Sequence, residues 1–83
     1  MDTPFTIQKR DFIAGLEKGL SVIEAFDQEQ SRLSMTEVAQ RTGLTRAAAR
    51  RYLLTLTQLG YVTYDGRMFS LSPKVLRLGQ SYF

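Results

Sequence analysis

The spacing of apolar residues changes at Gly60. Before this glycine, apolar positions recur every three or four residues, which is typical of amphipathic helices. After it they alternate with polar positions, which is typical of short strands. In a chain of 83 residues, which can build one small core, this pattern predicts a fold that is mainly α with a small β-hairpin.

The first predicted helix covers residues 12–27. Its apolar positions form one stripe, which we expect to face the core: Phe12, Leu16, Leu20, Ile23 and Phe26. Gly15 is an alternative N-cap for this helix, and close packing against another helix would explain Gly19. Residues 1–11 before it are predicted to be a flexible N-terminal tail.

Two further helices are predicted around a tight turn. Ser34 followed by Glu37 forms a capping-box pattern at the start of the second helix, and Gly43 suits its left-handed end. Thr45 is the predicted N-cap of the third helix, Arg46–Leu59. Two helices joined by such a short turn form a helix-turn-helix motif.

Two β-prone runs flank Asp65-Gly66 after the third helix. Asp-Gly between such runs favours a two-residue hairpin turn in which both central residues have positive φ. A hairpin after a helix-turn-helix is a wing, so residues 12–72 are predicted to form a winged helix-turn-helix. Residues 32–34 are a candidate edge strand, and Ser72-Pro73 predicts the cap and first position of a last helix.

Helical spacing gives the third helix an inner and an outer face. We expect the inner face to carry Ala49, Tyr52, Leu53, Leu56 and Leu59. Arg50 and Arg51 lie on the outer face beside the small Ala47, and Arg46 lies at its boundary. A slim, cationic helix start suits the DNA major groove, where arginine can bind the O6 and N7 atoms of guanine.

Charge is distributed unevenly along the chain. Residues 1–40 contain four Lys/Arg against seven Asp/Glu, and residues 41–83 contain seven against one. The positive half contains the helix-turn-helix, which predicts an acidic partner, with nucleic acid as the leading candidate.

Several classes of chemistry are missing from the sequence. The chain contains neither cysteine nor histidine, so it lacks the usual metal ligands and the commonest catalytic base, and we expect no cofactor. No apolar run approaches membrane-spanning length, and no signal peptide is visible. The expectation is a cytoplasmic protein that does not bind membranes.

The candidate DNA-binding residues are Thr36, Thr45, Arg46, Ala47, Arg50, Arg51 and Arg67. For the arginines of the third helix the alternative is a solvated basic face, and Arg51 has the further alternatives of holding a phosphate or an internal acid. Arg67, beside the wing turn, suits a phosphate contact or solvent equally. The two threonines are helix-start residues, where backbone N–H groups also favour phosphate.

Six segments of the chain form a recognisable series: Leu16-Glu-Lys-Gly-Leu-Ser-Val-Ile-Glu-Ala-Phe26, Glu37-Val-Ala-Gln-Arg-Thr-Gly-Leu44, Arg51-Tyr-Leu-Leu-Thr-Leu56, Leu59-Gly-Tyr-Val62, Asp65-Gly-Arg67 and Leu78-Gly79. In their order and spacing these segments resemble the IclR-type transcriptional regulators. Residues 45–54 look like the branch that controls protocatechuate, 4-hydroxybenzoate and other β-ketoadipate-pathway genes. Many family members have Ser-Thr where this chain has Ala47-Ala48, so hydroxyl contacts expected there do not carry over.

The resemblance implies a regulator that binds a palindromic or repeated double-stranded DNA operator as a homodimer or higher oligomer. It also implies a second, larger domain that binds a small-molecule effector. Residues 73–83 are then expected to begin the linker helix to that domain, which this chain does not contain. Tyr82 and Phe83 are candidate dimer contacts, or apolar residues exposed by truncation.

Two other functions are alternatives to DNA binding. The first is a winged-helix protein-interaction module that docks an acidic partner on the same apolar and basic surfaces. The second is an enzyme, which would require a carboxylate or lysine site among Glu17, Lys18, Glu37 and Asp65. Nothing in the spacing of these four residues supports such a site.

Overall fold

Three α-helices and three short strands form the fold in the computed structural model, which describes residues 6–82. The elements are α1 (Ala14–Glu24), β1 (Arg32–Leu33), α2 (Met35–Thr42), α3 (Arg46–Leu59), β2 (Val62–Tyr64) and β3 (Phe69–Leu71). Short 3-10 helices precede and follow them at Lys9–Asp11 and Pro73–Leu78. The predicted fold class, a mainly α winged helix-turn-helix, is confirmed.

The first helix is shorter than the predicted residues 12–27. It begins after Ile13, whose backbone is extended and whose side chain makes no capping bond, so Gly15 is not the N-cap. At the other end α1 stops at Glu24, and Asp27 closes the turn that follows, where its Oδ1 accepts the N–H of Gln30 at 2.7 Å.

The apolar stripe predicted for α1 lies mostly outside the core. Phe26 is buried, but Phe12, Leu16 and Leu20 remain 49%, 62% and 48% exposed. The face that packs on α3 carries Gly15 and Gly19 instead: an ideal Cβ at either position would lie within 4 Å of the Tyr52 side chain. Glycine has no apolar side chain, so the spacing of apolar residues could not reveal this face. It predicted instead that the neighbouring face, with Leu16 and Leu20, packs in the core.

The caps of α2 and α3 form as predicted. Ser34 Oγ accepts the N–H of Glu37 at 3.1 Å, and the Glu37 carboxylate accepts the N–H of Ser34 at 2.8 Å. Gly43 ends α2 with φ 75°, a conformation that a residue with a Cβ adopts only at a cost. Thr45 Oγ1 then accepts the N–H of Ala48 at 3.1 Å, which starts α3 immediately after the turn.

The predicted inner face of α3 is buried along most of its length. Ala49, Leu53 and Leu56 belong to the core, and Tyr52 is half-buried. Leu59 is 52% exposed, contrary to the prediction. It lies at the last position of α3 beside Leu16 and Leu20 of α1, which are themselves exposed, so the core does not extend that far.

The three strands form an antiparallel sheet in the order β1-β3-β2. The edge strand predicted within residues 32–34 is confirmed at Arg32–Leu33. Across the sheet, Leu33 and Tyr64 both pair with Phe69. Leu33 and Phe69 are buried in the core, and the Tyr64 and Phe69 rings stack with centroids 4.5 Å apart. The sheet therefore closes the core on the side of the molecule where the chain leaves α3.

The wing turn differs from the predicted two-residue Asp-Gly turn. Four residues, 65–68, join β2 to β3, and within the described chain only glycines have positive φ, Gly66 among them at 98°. Asp65 makes the longer loop, because its Oδ1 accepts the N–H groups of Arg67 at 2.9 Å and Met68 at 2.7 Å.

The segment after β3 is capped as predicted but forms a 3-10 helix. Ser72 Oγ accepts the N–H of Lys74 at 3.2 Å and donates to the carbonyl of Gly60. Lys74 Nζ donates to the carbonyl of Leu59 at 2.7 Å and lies 4.9 Å from the centre of the Tyr61 ring. These contacts tie the segment to the C-terminus of α3. Of the predicted tail (1–11) and linker start (73–83), residues 1–5 and Phe83 lie outside the described residues.

We expect Gly19→Ala to stabilise the domain. The new Cβ would lie 3.8 Å from the Tyr52 ring, an ordinary contact, and alanine in a helix interior is favoured over glycine by about 0.5–1 kcal/mol. Urea denaturation would measure the change. Gly43→Ala is the matched control: nothing lies within 4 Å of its Cβ, but φ is +75°, so it should destabilise by about 1–2 kcal/mol. A loss of stability in Gly19→Ala would contradict this account of the α1–α3 contact.

Candidate nucleic-acid interface

The first turns of α3 project from the molecule as an exposed basic surface. Arg46, Ala47 and Arg50 are exposed and line one shallow depression together with Met35 from the start of α2. The short turn between the helices brings these positions together, because α2 ends at Gly43 and α3 begins directly after Thr45. We call Met35, Arg46, Ala47 and Arg50 the recognition surface.

Arg51 lies on a different side of α3. It lines a second depression with Lys18 of α1 and with Ala48, Tyr52 and Thr55. The structure therefore separates Arg51, beside α1, from the recognition surface.

The remaining candidate residues stand on other elements. Thr36 is exposed in the first turn of α2, and Arg67 is exposed in the wing loop. Thr45 is exposed as well, and its hydroxyl oxygen is engaged as the N-cap acceptor for Ala48. Thr45 therefore has a structural role whatever else it binds.

The arginines of α3 and the wing carry uncompensated charge. Within residues 6–82 the ion pairs are Arg32 with Asp65 and Arg41 with Asp27, and neither involves Arg46, Arg50, Arg51 or Arg67. The alternative in which Arg51 holds an internal acid finds no such acid among the described residues. Four exposed guanidinium groups without an acidic partner among residues 6–82 give α3 and the wing loop a positive field.

Two other basic residues of the same half of the chain have structural duties. Arg41 Nη1 donates to the carbonyl of Ala25 at 2.6 Å and lies 3.4 Å from Asp27, so Arg41 ties α2 to the end of α1. Lys74 performs the corresponding task at the end of α3. Counting charges in the sequence could not separate these anchoring residues from the free arginines.

Sequence reasoning missed two residues near the candidate site. Met35 belongs to the recognition surface, and its position directly after the Ser34 cap was the available signal. Arg32 of β1 reaches the wing, where its Nη2 donates to Asp65 Oδ2 at 2.5 Å. These partners are 33 residues apart in the chain, so only the sheet topology reveals their contact.

Hydrogen bonds lower the pKa of the Asp65 carboxyl group from 3.8 to about 2. The largest causes are the N–H groups of Met68 and Arg67, followed by the guanidinium of Arg32. The pKa of Glu37 is also lowered, first by the backbone N–H of Ser34 in the capping box. The carboxylate is the better acceptor of these bonds, so each bond favours the charged form.

A winged helix-turn-helix with free arginines at the exposed start of its second motif helix is typical of DNA-binding domains. The model of the IclR helix-turn-helix domain matches residues 15–66. This chain therefore belongs to the IclR helix-turn-helix family of transcriptional regulators, a class of proteins that are not enzymes.

Among residues 6–82 the structure contains no helix whose length and apolar character would let it span a membrane.

Relatives and solved structures agree with this assignment. The chain is 49% identical over 76 residues to the Pca operon regulatory protein of Acinetobacter baylyi, covering 92% of the chain and 27% of the relative. It is 53% identical over 76 residues to the p-hydroxybenzoate hydroxylase transcriptional activator of the same organism, covering 92% and 28%. The regulator RHA06195 from Rhodococcus sp. RHA1 superposes with a TM-score of 0.82 at 52% identity, covering 86% of this chain and 28% of that one. The chain thus spans about a quarter of the length of the curated relatives it matches.

We expect the Asp65 carboxyl group to titrate at about pH 2, which NMR of the side-chain carboxyl carbon would measure. Because this pKa is lowered on folding, its contribution to stability is present above pH ~4 and is lost as the pH falls toward 2. In Arg32→Gln the pKa should rise but remain below its ordinary value, because the two backbone N–H donors persist. An ordinary pKa in the unmodified protein would contradict the hydrogen bonding of the wing loop.

Proposed function

We propose that this chain binds a specific double-stranded DNA operator as the N-terminal domain of a longer regulator of aromatic-compound catabolic genes. The observation that carries the proposal is the recognition surface: Arg46 and Arg50 flank Ala47 on the exposed start of α3, with no acid paired to either arginine in the described structure. The aromatic-compound target is supported by the two Acinetobacter baylyi relatives, whose names concern the pca operon and p-hydroxybenzoate hydroxylase.

In this proposal α3 lies in the major groove with its N-terminus toward the bases. Arg50 and Arg46 read guanine edges, and the methyl group of Ala47 lets the helix approach closely. Arg51 lies toward α1, away from the recognition surface, and binds a phosphate. We assign phosphate contacts to the helix starts at Thr36 and Thr45, where N–H groups favour anions. The wing residue Arg67 contacts the sugar-phosphate backbone.

The longer protein would pair two such domains on a palindromic or repeated operator. The exposed apolar side chains Leu16 and Leu20 of α1, beside Leu59 of α3, offer one surface for that pairing. A small-molecule effector would bind the part of the protein that this chain does not include. Such a regulator works in the cytoplasm of a bacterium, at the nucleoid.

Fluorescence anisotropy across a salt series tests the proposal directly. A duplex selected from a randomised pool with this chain would be compared with random duplexes. Neutralising about 4–6 phosphates per domain predicts that log K falls with log salt at a slope of about −4 to −5. The selected duplex should also bind at least ~1,000-fold more tightly than random DNA.

A shallow salt dependence without sequence preference would contradict DNA recognition. It would favour the alternative of a module that docks an acidic protein.

Arg50→Ala should weaken binding to the selected duplex by about 1–3 kcal/mol and relax the base preference at one position per half-site. The reason is the loss of two hydrogen bonds to one guanine. Arg51→Ala removes the same charge from the neighbouring position and serves as the matched control, with an expected equal loss on selected and random DNA. Anisotropy with single-base operator variants measures both effects. Equal weakening by Arg50→Ala on both kinds of DNA would assign Arg50 to a phosphate.

A further inference from the structure

One ion pair spans the whole sheet. Arg32 lies on β1 and Asp65 directly follows β2, while β3 runs between those two strands. The register places Arg32 and Thr63 opposite the same residue, Ser70, and Asp65 is two residues beyond Thr63. Side chains two residues apart on a strand share a face, so the Arg32 side chain crosses β3 on the solvent face to reach Asp65.

Asp65 organises the loop that carries Arg67. Its N–H donates to the carbonyl of Met68 at 3.1 Å. One carboxylate oxygen accepts the N–H groups of Arg67 and Met68, and the other accepts from Arg32 at 2.5 Å. The conformation of the wing loop therefore depends on the Asp65 carboxylate. The carboxylate oxygen that does not bind the loop accepts a hydrogen bond from Arg32.

In the proposed function the same carboxylate would oppose DNA binding. Asp65 is the only acidic residue in residues 41–83, and it is two residues from the wing arginine that faces phosphates in the proposed function. A bare carboxylate there would repel the DNA backbone. The loop needs the carboxylate as an acceptor, so its charge has to be balanced by a cation from elsewhere in the fold.

We propose that Arg32 is a positioning residue for DNA binding: it neutralises Asp65 and orients the wing loop, which presents Arg67 to the sugar-phosphate backbone. This inference rests on the proposed DNA-binding function. The two side chains are 61% and 49% exposed, and an ion pair this exposed contributes little to folding stability. The pair is therefore expected to act on DNA affinity and not on the stability of the fold.

A double-mutant cycle with the selected duplex tests this role. Arg32→Gln removes the cation. Asp65→Asn keeps an oxygen that can accept the N–H groups of Arg67 and Met68, but removes the negative charge. Arg32→Lys keeps the cation, and Arg77→Gln removes an equal charge from the exposed 3-10 helix as a control. Anisotropy gives the affinity and the salt slope of each variant, and thermal unfolding checks that each is folded.

We expect Arg32→Gln to weaken binding about 5–10-fold while its melting temperature stays within a few degrees. Asp65→Asn should bind as tightly as the unmodified chain or more tightly. In the Asp65→Asn background, Arg32→Gln should change affinity less than about 2-fold, because no negative charge remains to neutralise. Arg32→Lys should recover most of the affinity, and Arg77→Gln should change it less than about 2-fold.

Two results would overturn the inference. An equal loss from Arg32→Gln in both backgrounds, with a salt slope lower by about 0.9, would make Arg32 itself a phosphate ligand. Full affinity of Arg32→Gln would show that the ion pair does not matter for binding. In both cases the unmodified chain still binds its duplex, whereas failure of the proposed function would appear as no sequence-selective binding by that chain.

Discussion

The burial of one face of α3 is the constraint on which the rest of the structure depends. Ala49 and Leu53 have no exposed surface, and they lie in one core with Val22 of α1, Val38 of α2 and Leu33 of β1. Because one face of α3 is buried in the core, the opposite face is turned to solvent. The arginines at its start are therefore presented on a rigid element, at no cost to the core.

The basic residues of the second half of the chain fall into two groups, those that bind the protein itself and those that do not. Arg41 and Lys74 bind the carbonyl groups that end α1 and α3, where a cation is favoured by the helix dipole. The arginines of α3 and Arg67 have no such partner among the described residues and remain available to an external anion. The net charge of +3 understates this asymmetry, because the acidic residues are concentrated in the first half of the chain.

The wing loop and the recognition surface are held in place by different kinds of interaction. The recognition surface is carried by a capped helix, so its geometry follows from local hydrogen bonds at Ser34, Gly43 and Thr45. The wing loop is held by one aspartate and by an arginine from a distant strand. A local motif can be recognised in a sequence, whereas a cross-strand contact requires the register of the sheet.

What the sequence determined by itself was local. The capping box, the left-handed Gly43 that ends α2, the Thr45 cap and the Ser72 cap all depend on interactions within a few residues. The exposure of Arg46, Arg50 and Arg51 followed from helical periodicity. The fold class could therefore be predicted before the structure, and the family was indicated by the resemblance of several segments to its members; both were confirmed.

Only the tertiary structure decided which faces meet. The apolar stripe predicted for the first helix pointed to Phe12, Leu16 and Leu20, but the face of α1 that packs on α3 carries Gly15 and Gly19, which lie beside the Tyr52 side chain. The wing turn lengthened because the Asp65 carboxylate captured two backbone N–H groups. In the first case a side-chain contact, and in the second case two side-chain hydrogen bonds, determined the local structure. The spacing of apolar residues indicates neither of them. The contact between Tyr52 and the two glycines forms only when distant segments of the chain pack together, whereas the wing loop is closed by hydrogen bonds within three residues.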